Sequence, residues 1–517
     1  MNLAKLILHS KKATHWTVLT LTGVAFLLRT LTLNRQSLWR DEVDAIRFSD
    51  WPVAELLQGL FHHGHNGPLF FLALRPWRAL TGDSEFALRY PSALLGSLTV
   101  PLGFVLARQL DFSRRAGLLL GLLLATSPYL VWYGQEAKMY ALLVVLVTLA
   151  FIAYLRALNG TGRLWWGVFV VTTSLSFYTH ILSPLMLLVY GAIAWLRGAQ
   201  FRQQWRAWLI SMACLTLPYI PLAIWQIPLL IQGFQSGHPD YSAQKMIALL
   251  FQLYSSGLIQ FLGLTGGVLY VFLLLCGLFL EQRRPSRPDP NRLPKGERVT
   301  LPPRWGKLKM GNRWLLVAWT LLPPLAVYLI SLRVEIFEDR YLIYITPAFY
   351  LLIALGIILV RQRSLWLASF CLGLILTFNL MGIWQQQRRP IKADFRGVAD
   401  YLYSQPIPPS AVMVQIPYLQ YTFNYYYTAE YQLLEGLWTN NGKTTEEVAT
   451  EMQQRTTDLT DVWLIVAEED LWDSRSLTRT WLAENAELLD EANFNRVDLY
   501  HYQMRTQLTE KADTPAE

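Results

Sequence analysis

The sequence predicts an all-α polytopic membrane protein of about eleven transmembrane helices, followed by a small C-terminal α/β domain. Hydrophobic residues make up 53% of the 517 residues and charged residues only 16%. A soluble protein of this size usually carries nearer a quarter charged residues. Apolar runs of about 20 residues, the length that crosses a bilayer as a helix, recur as far as residue 384. The composition therefore indicates an integral membrane protein.

The apolar runs define a membrane domain, predicted to cover 1–388. Lysines precede the first run and no small-residue cleavage site follows it, so this run is predicted to be a retained anchor. A long loop, 34–87, separates it from the second run. The predicted spans are 15–33, 88–108, 116–133, 137–155, 164–180, 181–197, 207–230, 257–280, 314–332, 341–360 and 365–384.

Positive charge sets the predicted orientation. Lys and Arg cluster before the first span and in alternate loops, most densely in the Pro-rich linker 281–313. Because such residues accumulate on the cytoplasmic side, the N-terminus is predicted to be cytoplasmic in the plasma (inner) membrane. The first loop and the C-terminal domain are then extracytoplasmic. Cytoplasmic loops also account for the net charge of +8, so no nucleic-acid partner is predicted.

The C-terminal segment 389–506 differs from the rest of the chain and is predicted to be an extracytoplasmic α/β domain. Short β-branched or aromatic runs between turn signals predict strands at Ala411–Ile416, Val462–Val466 and Val497–Met504. Helices are predicted at Val398–Ser404, Thr444–Arg455 and Leu477–Leu489. The polar end, 507–517, is predicted to be disordered.

Polar and ionisable side chains gather in four turns on the predicted outer side. Buried ionisable groups in a membrane protein are costly and usually functional, so the four turns indicate an outward-facing site. Adjacent carboxylates point in different directions on a helix, so Asp41 and Glu42 are expected to address different partners, whereas Asp44 shares the face of Asp41. The candidate residues are Asp41, Glu42, His65, Asn66, Tyr133, Gln135, Glu136, Lys138, Tyr140, His180, Arg340 and Tyr341.

Each candidate group also has a structural explanation. The stretch Leu38–Asp44 could be a solvated acidic turn that caps a helix. Gln135 to Lys138 could pin a helix end at the interface. His180 could be a satisfied interhelical histidine, and Arg340 could form a local ion pair with the acidic residues before it. The residues alone leave both explanations open.

The first loop contains three closely spaced histidines that resemble a metal-binding cluster, namely His62, His63 and His65. No carboxylate follows them at ligand spacing, so a divalent metal is possible but unsupported. The favoured explanations are loop histidines without a ligand or contacts to a phosphate. The three cysteines lie inside apolar runs, where they are expected to be small buried hydrophobes. No cofactor is therefore predicted.

Five short motifs carry a family resemblance. Together they resemble the polytopic GT-C glycosyltransferases, in particular the bacterial branch related to protein O-mannosyltransferases and to lipid A aminoarabinose transferases. The acidic pair of the first loop and the Tyr-x-Gln-Glu-Ala-Lys-Met-Tyr turn are the most specific of the five. The matching segments are Leu38-Trp39-Arg40-Asp41-Glu42, His65 to Phe71, Ser127 to Tyr140, Arg340 to Leu342 and Asp394 to Gly397.

The resemblance implies transfer of a hexosyl or pentosyl group from a polyprenyl-phosphate-linked donor, with inversion at the anomeric carbon. The acceptor would be a lipid, a glycan or a protein hydroxyl on the outer face of the cell envelope. Asp41 matches the family's catalytic acid and is expected to be the general base, and Glu42 is expected to orient the acceptor or the partners of Asp41. Arg340 and Lys138 are expected to stabilise the phosphate, although the family often has Arg at the position of Lys138. His65 is expected to contact the phosphate or the donor sugar.

A transporter or flippase of lipid-linked sugars is the alternative function. Transporters often show pseudo-repeated halves and charged or broken helices at mid-bilayer, whereas this chain has no visible repeat and carries its polar groups at helix ends. A non-catalytic assembly or receptor protein that binds through its C-terminal domain is a third class. Such a protein would not require acid in the first loop.

Overall fold

The computed structural model describes residues 3–59, 66–220, 241–258, 263–281 and 305–505, together with 223, 224 and 228. The three loop histidines, most of the Pro-rich linker and the polar end of the chain lie outside these residues. The chain forms two compact units. The membrane unit contains Met1–Leu33 and Phe48–Arg388, and the C-terminal unit contains Asn34–Arg47 and Arg389–Glu517.

Helices build the membrane unit wherever the structure describes it. Short 3-10 turns at Ser183–Leu185, Leu217–Tyr219 and Asp339–Ile345 connect or extend them. One helix of the first loop, α2, begins in the C-terminal unit. The helices are α1 Leu3–Thr30, α2 Arg40–Asp50, α3 Val53–Gln58, α4 Leu69–Thr81, α5 Glu85–Gln109, α6 Arg114–Thr126, α7 Pro128–Tyr133, α8 Tyr140–Leu158, α9 Leu164–Phe177, α10 Met186–Leu196, α11 Gly198–Thr216, α12 Ala243–Ser256, α13 Gly263–Phe279, α14 Trp305–Ser331, α15 Thr346–Arg361 and α16 Leu365–Arg388.

Each of the eleven predicted spans overlaps one of these helices, and the predicted loops contain others, namely α2, α3, α4 and α12. In the described part of the chain, five helical stretches are long and apolar enough to cross a membrane, and three shorter apolar helices accompany them. The chain is therefore a multi-pass membrane protein, as predicted, while the number of eleven spans stays a prediction. The five stretches are Glu85–Gln109, Tyr140–Leu158, Gly311–Ser331, Asp339–Arg361 and Leu365–Arg388.

Helices α13 and α15 approach each other through a reciprocal glycine contact. A Cβ atom on Gly277 would overlap the backbone oxygen of Leu352, and a Cβ atom on Gly356 would overlap the backbone oxygen of Leu273. Small residues let the backbones of membrane helices come this close, and van der Waals packing then holds the pair. A side chain larger than that of glycine would therefore clash at both positions.

The C-terminal unit contains one mixed sheet between helices. The strands β1 and β2 run parallel, β1 and β3 run parallel, and β5 is antiparallel to both β3 and β4, in the order β2-β1-β3-β5-β4. The strands are β1 Ala411–Val414, β2 Gln432–Glu435, β3 Asp461–Val466, β4 Ala486–Phe494 and β5 Val497–Met504. The helices are α17 Phe395–Tyr403, α18 Gln420–Tyr426, α19 Thr445–Thr456 and α20 Leu477–Asn485.

Alternating side chains of the sheet pack into two separate hydrophobic cores, one on each face. Val412 and Val414 of β1 pack with α17 and α18 on one face. Ala411 and Met413 point to the other face, where they pack with α19 and α20. This period of two is what a strand buried on both faces requires. The small α/β domain predicted from the sequence is confirmed.

One predicted helix of this unit is partly wrong. The expected helix Leu477–Leu489 ends at Asn485, and Ala486 begins strand β4. The segment is rich in Ala, Glu and Leu, which favour helix, but it pairs along its length with β5. Asn495 and Arg496 form the turn between the two strands, with Arg496 at a φ of 60°. Tertiary pairing here overrides local propensity.

Candidate active site

A cluster of tyrosines in the membrane unit surrounds Asp339, the first residue of the 3-10 helix before α15. The hydroxyl of Tyr133 donates to the Asp339 carboxylate at 3.0 Å, and the hydroxyl of Tyr129 donates to its backbone oxygen at 3.0 Å. The ring of Tyr133 also contacts those of Tyr129 and Tyr140, with centroids 4.8 and 5.2 Å apart. The turn that begins α8 and the turn that precedes α15 therefore meet at one point.

His180 joins this cluster from the turn between α9 and α10. Its ring packs edge to face on Tyr341, with centroids 4.8 Å apart, and the backbone N–H of Leu182 donates to its Nδ1 at 3.1 Å. Because Nδ1 accepts this hydrogen bond, it carries no proton, so the imidazole is neutral and its proton is on Nε2. Nε2 is buried and has no hydrogen-bond partner among the described residues.

The segment that carries Asn66 runs against the same turn. The backbone N–H of Leu69 donates to the backbone oxygen of Tyr178 at 2.9 Å. Gly67 lies so close to Tyr178 that a Cβ atom would overlap its backbone. Only glycine fits there, which explains why the chain has glycine between Asn66 and Pro68. Asn66 is partly exposed, and the preceding His65 lies outside the described residues.

The turn before α8 contains both anchoring and buried charged residues. The Gln135 side-chain amide donates to the backbone oxygen of Arg29 at 3.1 Å and to the hydroxyl of Thr32 at 2.8 Å. These are the contacts expected if Gln135 pins a helix end. Glu136 and Lys138 are buried, and the Lys138 ammonium lies 6.0 Å from the centroid of the Phe71 ring.

The membrane unit thus unites most of the polar turns that the sequence singles out. Gln135 contacts the end of α1 instead, and Lys138 lies beside α4. The cluster contains cationic, neutral-imidazole and phenolic donors, a set suited to a phosphate or a sugar hydroxyl. The residues brought together are Tyr133, Tyr140, His180, Arg340 and Tyr341.

The two adjacent carboxylates of the first loop lie in the C-terminal unit and have different surroundings. Glu42 is fully buried and pairs with Lys392, with Oε2 and Nζ 2.7 Å apart. Asp41 is partly exposed, and its Oδ1 lies 3.8 Å from Nε of Arg40. The prediction that the two acids address different partners is confirmed. Asp44 pairs with Arg47 at 3.4 Å.

Arg40 also connects Asp41 to the strands of this unit. Its guanidinium lies 3.3 Å from the Glu468 carboxylate and 4.9 Å from the centroid of the Tyr418 ring. Glu468 lies two residues after the end of β3, and Tyr418 lies after β1. The start of α2, where the helix dipole favours a carboxylate such as Asp41, is therefore packed next to the sheet.

Hydrogen bonds between side chains and backbone hold the loop segment 34–47 in the C-terminal unit. The Gln36 side-chain oxygen accepts from the N–H groups of Ile391 and Lys392, both at 3.0 Å. The hydroxyl of Tyr426 accepts from the N–H of Leu38 at 2.5 Å. The sequence assigns the whole of 34–87 to the membrane domain, whereas these contacts join 34–47 to the segment that follows Arg389.

The Asp394–Gly397 motif begins α17. The Asp394 carboxylate accepts from the N–H of Gly397 at 3.0 Å and from the hydroxyl of Ser37 at 3.3 Å. Asp394 is thus an N-cap residue that also binds the first loop. A helix cap that holds the segment carrying Asp41 gives the motif a positioning role.

Comparison with known proteins identifies the fold of this chain. The family model for dolichyl-phosphate-mannose-protein mannosyltransferase matches residues 65–225. The solved structures of ArnT from Cupriavidus metallidurans, bound to undecaprenyl phosphate and in the apo state, are similar with a TM-score of 0.57 and 13% identity, over 95% of this chain and 98% of that chain. The chain has the GT-C fold. The predicted resemblance to GT-C glycosyltransferases is confirmed.

A second similar structure is matched over a smaller share of its length. Arabinofuranosyltransferase AftD from Mycobacteria is similar with a TM-score of 0.52 and 12% identity, over 95% of this chain and 40% of that chain. No curated protein matches the sequence. The similarity is therefore one of fold.

Several residues of this GT-C fold were not singled out from the sequence. In the sequence, Lys392 follows two arginines near the end of α16 and resembles an interfacial cation. Its position two residues before the Asp394 motif is the sequence signal that could have marked it as a site residue. Arg29 is a lone cation in the first apolar run, and intramembrane cations deserve a functional test. It is fully buried and donates to the backbone oxygens of Leu124 and Ala125 at 3.0 and 3.2 Å. Tyr129 has no sequence signal beyond its motif.

The described residues of this GT-C fold also bear on metal binding. Within them, no group of three or more His, Cys, Asp or Glu side chains is arranged to hold a metal ion. His62, His63 and His65 lie outside that part of the chain.

Proposed function

We propose that this protein transfers a sugar from a polyprenyl-phosphate-linked donor to an acceptor hydroxyl, with inversion at the anomeric carbon. The observation that carries the proposal is the GT-C fold over 95% of the chain, shared with a structure bound to undecaprenyl phosphate. The cluster of Arg340, His180 and Tyr133 supports it, because these side chains offer donors of the kind that phosphate and sugar oxygens accept.

Asp41 is the proposed general base. In an inverting displacement, the acceptor oxygen attacks the anomeric carbon, the bond from that carbon to the phosphate oxygen breaks, and the base takes the acceptor's hydroxyl proton. Asp41 is partly exposed, whereas Glu42 is buried in its pair with Lys392. Glu42 is therefore proposed to hold the start of α2 in place, and Asp41 to react.

Arg340 and Lys138 are the proposed stabilisers of the leaving phosphate. The negative charge grows on the phosphate as the bond breaks, so fixed cations lower the barrier. The planar guanidinium of Arg340 can bind two phosphate oxygens at once, whereas Lys138 acts as a point charge. The buried Nε2–H of His180 is a neutral donor for the same group or for a sugar hydroxyl. Tyr341, Tyr140, Asn66, Glu136 and Gln135 complete the proposed substrate-binding set.

The proposed location is the plasma (inner) membrane, with the N-terminus cytoplasmic and the C-terminal domain extracytoplasmic. The Lys and Arg content of alternate loops supports this orientation. The proposed catalytic domain is 1–388, including the catalytic loop 34–87, whose residues 34–47 fold with the C-terminal unit. The proposed outer domain is 389–506. Donor sugar would then be delivered by a lipid carrier that resides in the same bilayer.

The deciding experiment is a transfer assay with the purified full-length protein and its Asp41→Asn variant. The probes are undecaprenyl-phosphate-linked mannose, glucose and arabinose, each radiolabelled on the sugar, with membrane extract as the acceptor source. We expect Asp41→Asn to be expressed normally and to lose transfer by about 100- to 10,000-fold, because the asparagine cannot accept the proton.

Asp44→Asn is the matched control. Asp44 is an acid of the same helix whose partner is Arg47, and it has no role in the proposed chemistry, so we expect it to retain transfer. Full activity of Asp41→Asn would rule out Asp41 as the base. Translocation of the labelled lipid without any sugar transfer by the wild-type protein would favour the flippase alternative.

A further inference from the structure

The carboxyl ends of β1, β2 and β3 in the C-terminal unit carry an unusual set of side chains. β1 lies between β2 and β3. The connection from β1 to β2 contains α18, which packs on one face, and the connection from β2 to β3 contains α19, which packs on the other. This reversal makes the carboxyl end of β1 a topological switch point, where open α/β sheets bind ligands.

Three aromatic side chains stand at that edge, one after each parallel strand. Tyr418 follows β1, Trp438 follows β2 and Trp472 follows β3. The Trp472 ring centroid lies 6.2 Å from that of Tyr418 and 5.7 Å from that of Trp438. Trp472 thus contacts both other rings, and Trp438 is 49% exposed, so its ring face is open to solvent. We refer to these three residues as the aromatic edge.

Buried polar atoms without partners lie along the aromatic edge. Gln415 is fully buried; its amide nitrogen donates to Asp473 at 3.3 Å, but its Oε1 has no hydrogen-bond partner among the described residues. Within the same described ranges, Nε1 of Trp472 is also buried and has no hydrogen-bond partner. Native proteins rarely leave such atoms unpaired, so each one indicates a missing partner.

The aromatic edge is continuous with the proposed base. Tyr418 lies under the guanidinium of Arg40, Arg40 pairs with Glu468, and Nε of Arg40 lies 3.8 Å from Asp41. All of these residues belong to the C-terminal unit. A molecule that lies on the aromatic edge would therefore reach the residue that is proposed to take the acceptor's proton.

We propose that the aromatic edge is the acceptor subsite and that the acceptor is a glycan. A sugar ring has an apolar C–H face, which stacks on Trp and Tyr, and a rim of hydroxyls, which need both donors and acceptors. Trp438 and Trp472 offer the faces; Nε1 of Trp472, Oε1 of Gln415 and the Glu468 carboxylate offer the partners. A lipid chain would need a continuous apolar surface, whereas charged Arg40, Glu468 and Glu469 border this one. The inference rests on the proposed function, which supplies the reaction that needs an acceptor.

Saturation-transfer NMR on the full-length protein in nanodiscs tests the subsite. The probes are the soluble tetrasaccharides of glucose, mannose, galactose, arabinose, xylose and N-acetylglucosamine. We expect transfer of saturation from aromatic protons to the ring protons of at least one probe. Trp438→Ala should weaken that binding by roughly tenfold, the loss of one stacking face. Trp472→Phe keeps a ring but removes the N–H donor, and it should weaken binding even if the fold is fully retained.

Tyr403→Ala is the matched control. Tyr403 is an exposed aromatic residue of the same unit that contacts Tyr427 and Thr428 rather than the aromatic edge, so glycan binding should not change. Equal binding by all variants, or no saturation of any probe, would overturn the subsite. So would a serine- and threonine-containing peptide that competes for Trp438 more strongly than every sugar. Sugar transfer that persists in those cases would leave the proposed function standing, and glycan binding without any transfer would overturn that function alone.

Discussion

At the scale of single residues, the buried pair of Glu42 and Lys392 makes a sharp prediction about stability. Glu42→Gln removes one charge and leaves the other buried, which costs about 3–5 kcal/mol when a buried pair is broken. We expect the midpoint of thermal unfolding of the C-terminal unit to fall accordingly, as followed by intrinsic fluorescence of the detergent-solubilised protein. The double variant Glu42→Leu with Lys392→Met should recover most of the loss, because no unpaired charge remains.

The exposed pair of Lys443 and Glu451 in the same unit is the control for this experiment. Both side chains are partly in water, so Glu451→Gln should cost less than about 1 kcal/mol. Equal effects of Glu42→Gln and Glu451→Gln would show that the Glu42 pair contributes no more than a surface ion pair. The start of α2, and with it Asp41, would then need another anchor.

Arg340 carries the second residue-level prediction. Arg340→Ala should raise the KM for the polyprenyl-phosphate donor more than the KM for the acceptor, because its proposed contact is the phosphate. Arg340→Lys should give an intermediate donor KM, since a lysine cannot bind two phosphate oxygens in the same fork. Arg333→Ala, which changes an exposed arginine near the same turn, should leave both constants unchanged. Equal losses for donor and acceptor would indicate a structural role for Arg340.

Some of the candidate site could be predicted from residues alone, and some could not. Asp41 and Glu42 were separable because adjacent helix positions face different directions. The partner of Glu42 was not predictable, because Lys392 is 350 residues away in the sequence. The same holds for the aromatic edge: Tyr418, Trp438 and Trp472 have no common spacing, and only the sheet brings them together.

At the scale of elements, the contact of α13 with α15 gives a test of packing. Gly277→Ala places a methyl group against the backbone oxygen of Leu352. Backbone cannot rotate away as a side chain can, so the two helices must separate. We expect a loss of about 1–3 kcal/mol, seen as a lower midpoint of thermal unfolding in detergent. Gly267→Ala on the same helix is the control, since its Cβ would have nothing within 4 Å; a loss in both variants would point to helix flexibility rather than packing.

Elements were predicted well where the physical signal is local and missed where it is not. Apolar runs near the bilayer length each became a helix, because the bilayer forces backbone hydrogen bonds to close within one segment. Strands β1, β3 and β5 were visible from β-branched and aromatic runs. Strand β4 was not, since Ala486–Phe494 has the composition of a helix and becomes a strand by pairing with β5. The short edge strand β2 gave no clear signal.

At the scale of the whole molecule, the division into units was the least predictable feature. The order of segments suggested that everything before residue 389 belongs to the membrane domain. The structure instead groups 34–47 with the C-terminal unit. Ser37 and Leu38 donate hydrogen bonds to residues far along the chain, and Gln36 accepts one from Ile391. The composition of a loop does not indicate which distant residues it contacts. Its position in the sequence is therefore not enough to assign it to a unit.

Membrane orientation is the prediction that concerns the whole chain. In a background with Cys214, Cys276 and Cys371 replaced by alanine, single cysteines would be placed at three exposed positions: Glu55 in the first loop, Thr161 between α8 and α9, and Glu487 in β4. A membrane-impermeant maleimide added to intact spheroplasts should label the first and third. Thr161→Cys should react only after permeabilisation, because Arg156 and Arg163 flank it and positive loops stay in the cytoplasm. Labelling of Thr161→Cys in intact spheroplasts, with Glu55→Cys protected, would invert the topology. Asp41 would then lie on the cytoplasmic side, and an extracytoplasmic transfer reaction would be untenable.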